Sequence, residues 1–256
     1  MKDPKVVPDS LKSPINYKFI LCIIVGVISI HLIINNLADE ENSEFYSSIF
    51  SIINPLATGV MGITVGFRYG MTVIFTRAYV ALGIGFVCAG IGEILYFLYD
   101  LIFEITPFPS FADVFFLSYY PFILAHLVIN IRFFKTKFST KTKIWLIGFP
   151  LLYSTMFFAF YQSDDALETA LSMAFIIPDS IALALAVLGA IMFRQGLIGT
   201  AWFILLLGMI SISSADIVYY QLESLGQYSL DHPVNIFWYV GYWIIFYALY
   251  KHKQIV

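Results

Sequence analysis

Two short stretches place acids and tyrosines at helical spacing inside runs that are otherwise apolar. In "GEILYFLYD" (92–100), Glu93, Tyr96 and Asp100 stand at i, i+3 and i+7; in "ADIVYYQLE" (215–223), Asp216, Tyr219 and Glu223 repeat the pattern. The same spacing holds for Asp113, Phe116 and Tyr120, and again for Asn235, Trp238 and Tyr242. Residues so spaced share one face of a helix, so four helices each carry a narrow polar and aromatic stripe. A fifth apolar run adds Asp179 beside Pro178 in "IIPDS" (176–180). An ionisable group facing lipid at mid-bilayer costs at least ~2.5–3.5 kcal/mol, so these stripes are expected to face the interior of a bundle.

The chemistry open to such a set is binding and proton exchange. Carboxylates gathered without a cation between them are expected to share protons. Glu93, Asp113, Asp179 and Asp216 could hold a hard cation such as Ca²⁺ or Mg²⁺ through oxygen ligands. Tyr96, Tyr120, Tyr219, Tyr242 and Asn235 would shape the walls and hydrogen-bond a small ligand. Each feature also has a purely structural reading. Tyrosine and tryptophan near span ends form interfacial belts. A lone Asp or Asn in a span often bonds a neighbouring helix for roughly 0.6–2 kcal/mol. Taken together, four deep acids point to a ligand, ion or proton site.

The elements that must position these residues follow from composition. Of 256 residues, 60% are hydrophobic and 12% charged, against about 25% charged in soluble domains. Mean hydropathy is +0.84. Apolar runs near the ~20 residues needed to cross a bilayer recur along the chain. The reading is an all-α, polytopic membrane helix bundle of about eight transmembrane helices, near 17–36, 45–66, 77–102, 109–134, 143–162, 168–193, 197–222 and 232–250. The first run is long and is followed by "NNLADEENSE", so it reads as a retained anchor rather than a cleaved signal peptide.

Charge gives the orientation. With eight spans, all 14 Lys and Arg residues fall on one side: Lys2, Lys5, Lys12 and Lys18, then Arg68 and Arg77, then Arg132, Lys135, Lys137, Lys141 and Lys143, then Arg194, Lys251 and Lys253. The opposite loops carry acids only. Basic residues are retained in the cytoplasm, so the expectation is a multi-pass cell-membrane protein with both termini cytoplasmic. At ~1.5 Å rise per residue, Asp113, Asp216, Glu93 and Asp179 then lie about 6, 9, 13 and 16 Å below the outer surface.

The stripes also pair across the chain. Glu93, Tyr96 and Asp100 match Asp216, Tyr219 and Glu223, while "ADVFFLSYY" (112–120) matches "VNIFWYVGY" (234–242). "FRYG" (67–70) matches "FRQG" (193–196), and Pro55 and Pro178 lie in corresponding spans. The expected organisation is a polar tail (1–16), a four-span repeat (17–134), a basic loop (135–142), a second four-span repeat (143–250) and a short tail (251–256). Four spans per repeat put both halves in parallel orientation, related by a pseudo-twofold axis along the membrane normal. Pro55 and Pro178 are candidate hinges.

"GEILYFLYD", "PFPSFADVFFLSYYPFILAHLV", "IIPDSIALALAV" and "SADIVYY" together resemble the multi-span sensory region that precedes diguanylate cyclase or histidine kinase domains in many bacteria. The residues carrying the resemblance are Pro109, Ser110, Ala112, Asp113, Tyr120, Pro121, Pro178 and Asp179, over about residues 80 to 245. The resemblance implies a membrane-embedded sensor. The sequence runs three residues past "KHK" (251–253), so a sensor is expected to signal through a separate cytoplasmic protein.

Three readings stay open: a receptor or sensor for a small ligand, cation or proton; a small proton- or cation-coupled transporter; and an intramembrane enzyme working through carboxylates. The sequence contains no H-E-x-x-H, no G-x-S-x-G, no glycine-rich phosphate loop and no paired-cysteine metal spacing, so no catalytic residue is assigned. Spans seven and eight have no lysine in their cores, against a retinal Schiff base. The four histidines are scattered, and no cofactor is implied. The basic middle loop fits anionic lipid headgroups, and nucleic acid is not an expected partner.

Overall fold

The computed structural model describes residues 15–37, 39–70, 73–105, 108–135, 137–196 and 198–253. Lys2, Lys5 and Lys12, nearly all of the expected 1–16 tail, and residues 254–256 lie outside the described residues. Eight long helices carry the fold: α1 (Tyr17–Leu37), α2 (Glu40–Arg68), α3 (Val73–Phe97), α4 (Ala112–Phe134), α5 (Thr140–Phe160), α6 (Ala166–Phe193), α7 (Gly199–Ser224) and α8 (Val234–Lys253). A π-helical turn, Leu98–Ile102, extends α3. Among the described residues there is no strand. The helices lie within a few residues of the expected runs, except that α2 begins five residues early and α8 runs through Lys253 into the expected tail.

Local chemistry sets many of these ends. The Asp39 carboxylate accepts from the Asn42 amide at 3.1 Å, Ser139 Oγ from Thr142 at 3.2 Å, and Asp165 from Leu167 at 2.7 Å. Each satisfies an amide that the first helical turn leaves without a partner. At the end of α7, Gly226 takes φ +62°. Its amide donates to the Glu223 carbonyl and that of Gln227 to Leu222, closing a Schellman motif that a residue with Cβ would strain.

Among the described residues seven helices, α1 to α7, are long and apolar enough to cross a membrane. α8 has the length, 20 residues, but falls short of those seven in the hydropathy of its most apolar stretch. The reason is visible in its burial. Asn235, Tyr239, Tyr242, Tyr247 and His252 are all buried inside the bundle, so these polar side chains are kept from lipid.

Helix neighbours define the architecture. α2 packs on α3, α3 on α4, α4 on α6, α6 on α7, α7 on α8, and α8 back on α2. Six helices thus close a ring. α1 leans on the outside of α2 and α8, and α5 on the outside of α6. Only 17% of the most apolar stretch of α1 and 11% of that of α5 is buried, against 67% for α6. Broad apolar surfaces of this kind, including Leu21, Ile33, Ile144, Ile147 and Leu151, suit lipid and not water.

Small residues let the ring helices approach closely. A Cβ on Gly83 would lie 2.6 Å from the Gly59 carbonyl oxygen and from the Ile63 amide, so α2 and α3 touch backbone to backbone. Gly208 and Gly241 do the same for α7 and α8, with each notional Cβ 2.9 Å from the other's carbonyl oxygen. This small-residue contact is the packing device of helices that lack a hydrophobic driving force between them.

Candidate functional site

At the end of the ring where α3 and α7 finish and α4 and α8 begin, the six helices enclose a cavity of about 110 Å³. α3 contributes Glu93 and Tyr96, and α4 contributes Asp113, Phe116, Tyr119 and Tyr120. α7 adds Asp216, Tyr219 and Tyr220; α8 adds Asn235, Trp238, Tyr239 and Tyr242. Ser51 of α2 and Phe175 of α6 close the sides, and Tyr228 and Leu230 of the α7–α8 connection reach in from the end. None of the described lining residues is lysine or arginine.

The helical stripes therefore converge. Glu93, Asp113, Asp216, Tyr96, Tyr120, Tyr219, Asn235 and Tyr242 all line this one space. Asp179 does not. Its carboxylate accepts from Tyr153 Oη at 2.9 Å and from Ser213 Oγ at 2.8 Å, which ties α6 to α5 and α7 behind the cavity wall. Asp100 and Glu223, one further turn along their stripes, are also not part of the lining.

The lining acids differ in their partners. Asp216 accepts from Trp238 Nε1 at 2.7 Å and, over a longer 3.4 Å, from Tyr120 Oη. Asp113 Oδ2 accepts from the Ser110 amide at 2.6 Å, while Ser110 Oγ accepts from the Ala112 amide at 3.1 Å. Ser110 and Asp113 thus form a reciprocal cap on the start of α4. Glu93 is different. Among the described residues no hydrogen-bond donor reaches its carboxylate, although Tyr96, Tyr228, Tyr239 and Tyr242 stand within electrostatic reach.

The remaining polar groups hold the walls. Tyr96 and Tyr219 meet hydroxyl to hydroxyl at 3.3 Å. Asn235 accepts from Tyr228 Oη at 3.1 Å and donates to the Leu230 carbonyl at 2.8 Å, fixing the α7–α8 connection over the cavity. Ser51 Oγ and Tyr239 Oη lie 2.7 Å apart and join α2 to α8. Pro55 and Pro178 sit inside α2 and α6, where each removes one backbone donor without breaking the helix.

The four-carboxylate cation site open to the sequence is not formed. Among the described residues, no three His, Cys, Asp or Glu side chains gather where they could hold a metal ion. The reason lies in the partners above: Asp179 is engaged outside the cavity, Asp113 caps a helix and Asp216 is taken by an indole. Phe175, Tyr228 and Ser51 were not legible as site residues, because ring closure between non-consecutive helices and one connecting segment brings them in. Tyr239 has a signal, standing four residues after Asn235 on nearly the same face of α8.

At the opposite end of the ring lies a second buried polar group. His252 Nε2 bonds to Tyr69 Oη, and its Nδ1 lies 3.3 Å from Tyr79 Oη. His126 Nδ1 lies 3.1 Å from the Ala78 carbonyl oxygen, and its ring stacks on Trp202 at 5.8 Å. Tyr79, His126, Trp202 and His252 border a space of only about 10 Å³. That is about the least room that holds one water.

Comparison with family models, with curated proteins and with solved structures finds no match to this chain. Fold and site geometry alone therefore define its class: an all-helical protein with seven membrane-capable helices and an aromatic, acidic cavity inside a six-helix ring.

Proposed function

We propose that this chain is a membrane receptor module that binds a small ligand inside the six-helix ring. In this reading all eight helices cross the bilayer. α8 packs between α1, α2 and α7, and its 20 residues span ~30 Å, the thickness of the hydrocarbon core. Eight crossings collect every lysine and arginine on one side, so both termini are cytoplasmic and the cavity opens toward the outer, acidic end.

The ring is two tandem repeats in parallel orientation. Helix neighbours support this: α2–α3 corresponds to α6–α7, α3–α4 to α7–α8, and α2–α8 to α6–α4, with α1 and α5 peripheral in each half. Local chemistry repeats as well. Ser110 Oγ accepts from the amide two residues on, and His232 Nδ1 accepts from Val234 in the same way at 3.1 Å. A Cβ on Gly85 would meet the Tyr119 carbonyl at 3.2 Å, just as one on Gly208 would meet that of Gly241.

The observation that carries the receptor reading is the cavity of about 110 Å³, walled by all six ring helices and holding one carboxylate, Glu93, that no hydrogen-bond donor reaches among the described residues. Closure around a ligand would bear on every helix of the ring at once. Pro55 in α2 and Pro178 in α6 are the positions at which those helices would bend, moving the cytoplasmic loops. The same prolines favour the second reading, a small carrier, whose inner and outer gates would need such bends.

A ligand-screening thermal shift on purified protein, run beside flux into proteoliposomes, tests both. A receptor is stabilised by a ligand that it does not move across the membrane. Saturable uptake of that ligand replaces the receptor by the carrier, and no stabilisation by any class of ligand removes both.

A further inference from the structure

Glu93 and Asp216 occupy matching positions in the two halves, yet their hydrogen-bond partners differ. Asp216 receives the indole N–H of Trp238 at 2.7 Å. The residue matching Trp238 is Phe116, which has no donor to give. Phe116 lies against Gly92, where an added Cβ would come within 2.8 Å of its ring. The residue matching Tyr120 is Tyr242, which stands in the field of Glu93 but makes no hydrogen bond to it among the described residues. One half of the ring therefore satisfies its acid internally and the other leaves its acid turned to the cavity.

From this asymmetry we propose that the cavity takes a small organic ammonium ion, with the Glu93 carboxylate as its counter-ion. The proposal rests on the receptor reading above and adds the class of ligand. A carboxylate without donors in a low-dielectric interior is costly, so a ligand bringing both N–H donors and positive charge gains most. The walls suit the same ion. Tyr96, Phe116, Tyr228, Tyr239 and Tyr242 line the same cavity as Glu93, and aromatic side chains around a cavity recognise ammonium groups.

The competing classes fit less well. A Ca²⁺ ion takes about six to eight oxygen ligands, and no acidic cluster that could supply them is present among the described residues. An anion would meet Glu93, Asp113 and Asp216 with no cation among the described lining residues. Size limits the ion further. A cavity of ~150 Å³ holds benzene, so one of about 110 Å³ fits roughly four or five heavy atoms.

The test uses the full chain, purified into detergent and into nanodiscs, with thermal shift and calorimetry as readouts. The probes are ethylammonium and tetramethylammonium chlorides, set against ethanol and tert-butanol, sodium acetate, KCl and CaCl₂. The expected result is saturable stabilisation by at least one alkylammonium and by none of the others. Affinity should fall at least tenfold in Glu93→Gln and in Phe116→Trp. The second variant keeps the carboxylate and supplies the indole donor that Asp216 already has, so it reads the question even where Glu93→Gln does not fold. Equal binding of the alcohols, or ammonium binding unchanged in both variants, overturns the ammonium assignment and leaves the receptor reading standing. Saturable binding of Ca²⁺ in place of ammonium also overturns it. If nothing in the panel binds, while a wider ligand screen still finds a stabilising compound, the ammonium assignment alone falls; if that screen is also empty, both fall.

Discussion

The hydroxyls of Tyr96 on α3 and Tyr219 on α7 lie 3.3 Å apart across the cavity. In the proposed duplication these two residues are each other's counterparts. Equivalent side chains of a twofold repeat can touch only beside the symmetry axis, so the pair marks where that axis runs. The contact itself is weak, since an O–H···O bond is normally about 2.7–2.8 Å. A double-mutant cycle of Tyr96→Phe and Tyr219→Phe should therefore give a coupling of about 0.5 kcal/mol, near the mean for bonds between membrane helices. Equilibrium unfolding in mixed micelles reads it. A coupling of several kcal/mol would mean that the pair anchors a larger network and would count against a purely axial contact.

Asp113 has a role separable from any ligand. With Ser110 it caps α4, and loss of such a cap costs about 1 kcal/mol. Ser110→Ala and Asp113→Ala should each lower stability by about that amount. The double variant should lose clearly less than the sum, because the two bonds form one reciprocal motif. Strict additivity in the same unfolding measurement would mean that the two residues act independently.

Asp179 is expected to matter for stability more than for binding. Its carboxylate is engaged by Tyr153 and Ser213, and removing one partner of a buried polar pair costs about 1–3 kcal/mol. Tyr153→Phe and Asp179→Asn should each destabilise within that range, while ligand affinity changes less than threefold. A drop of tenfold or more in Asp179→Asn, with stability intact, would bring Asp179 into the site.

Helix periodicity explains how much of this arrangement is legible in the chain alone. Residues at i, i+3 and i+7 must share a face, and a polar face cannot turn to lipid, so the four stripes converge with little freedom. Asp179 obeys the same rule of facing inward, yet its partners come from α5 and α7 and nothing local distinguishes them from cavity residues. The difference between Phe116 and Trp238 is visible as a sequence difference. That it decides which acid is satisfied depends on the direction of one N–H bond, which only the packed bundle sets. Ser51 reaches the cavity because α2 closes on α8, helices far apart in the chain, a contact that no periodicity foretells. The lower hydropathy of α8 is the same lesson reversed. Tyr239, Tyr242 and Tyr247 read as weakly apolar in sequence and turn out to be interior.

Glycine contacts give the sharpest contrast between positions of one residue type. A Cβ at Gly83 would meet the Gly59 carbonyl oxygen and the Ile63 amide, each at 2.6 Å, and backbone on both sides cannot yield as a flexible side chain would. Gly83→Ala is therefore expected to push α2 and α3 apart at a cost of about 1–3 kcal/mol. Gly26 in α1 and Gly148 in α5 have nothing within 4 Å of the same notional atom. Alanine there removes backbone entropy from the unfolded chain and should be neutral or stabilising by up to ~1 kcal/mol. The consequence extends to the site, because α2 carries Ser51 and α3 carries Glu93, and both line the cavity. Separating the two helices should weaken ligand binding in Gly83→Ala, while Gly26→Ala and Gly148→Ala bind as the parent does. Thermal shift with and without ligand reads both effects in one experiment. If Gly83→Ala proved as stable and as well liganded as the parent, the close approach of α2 and α3 would not be what shapes the cavity.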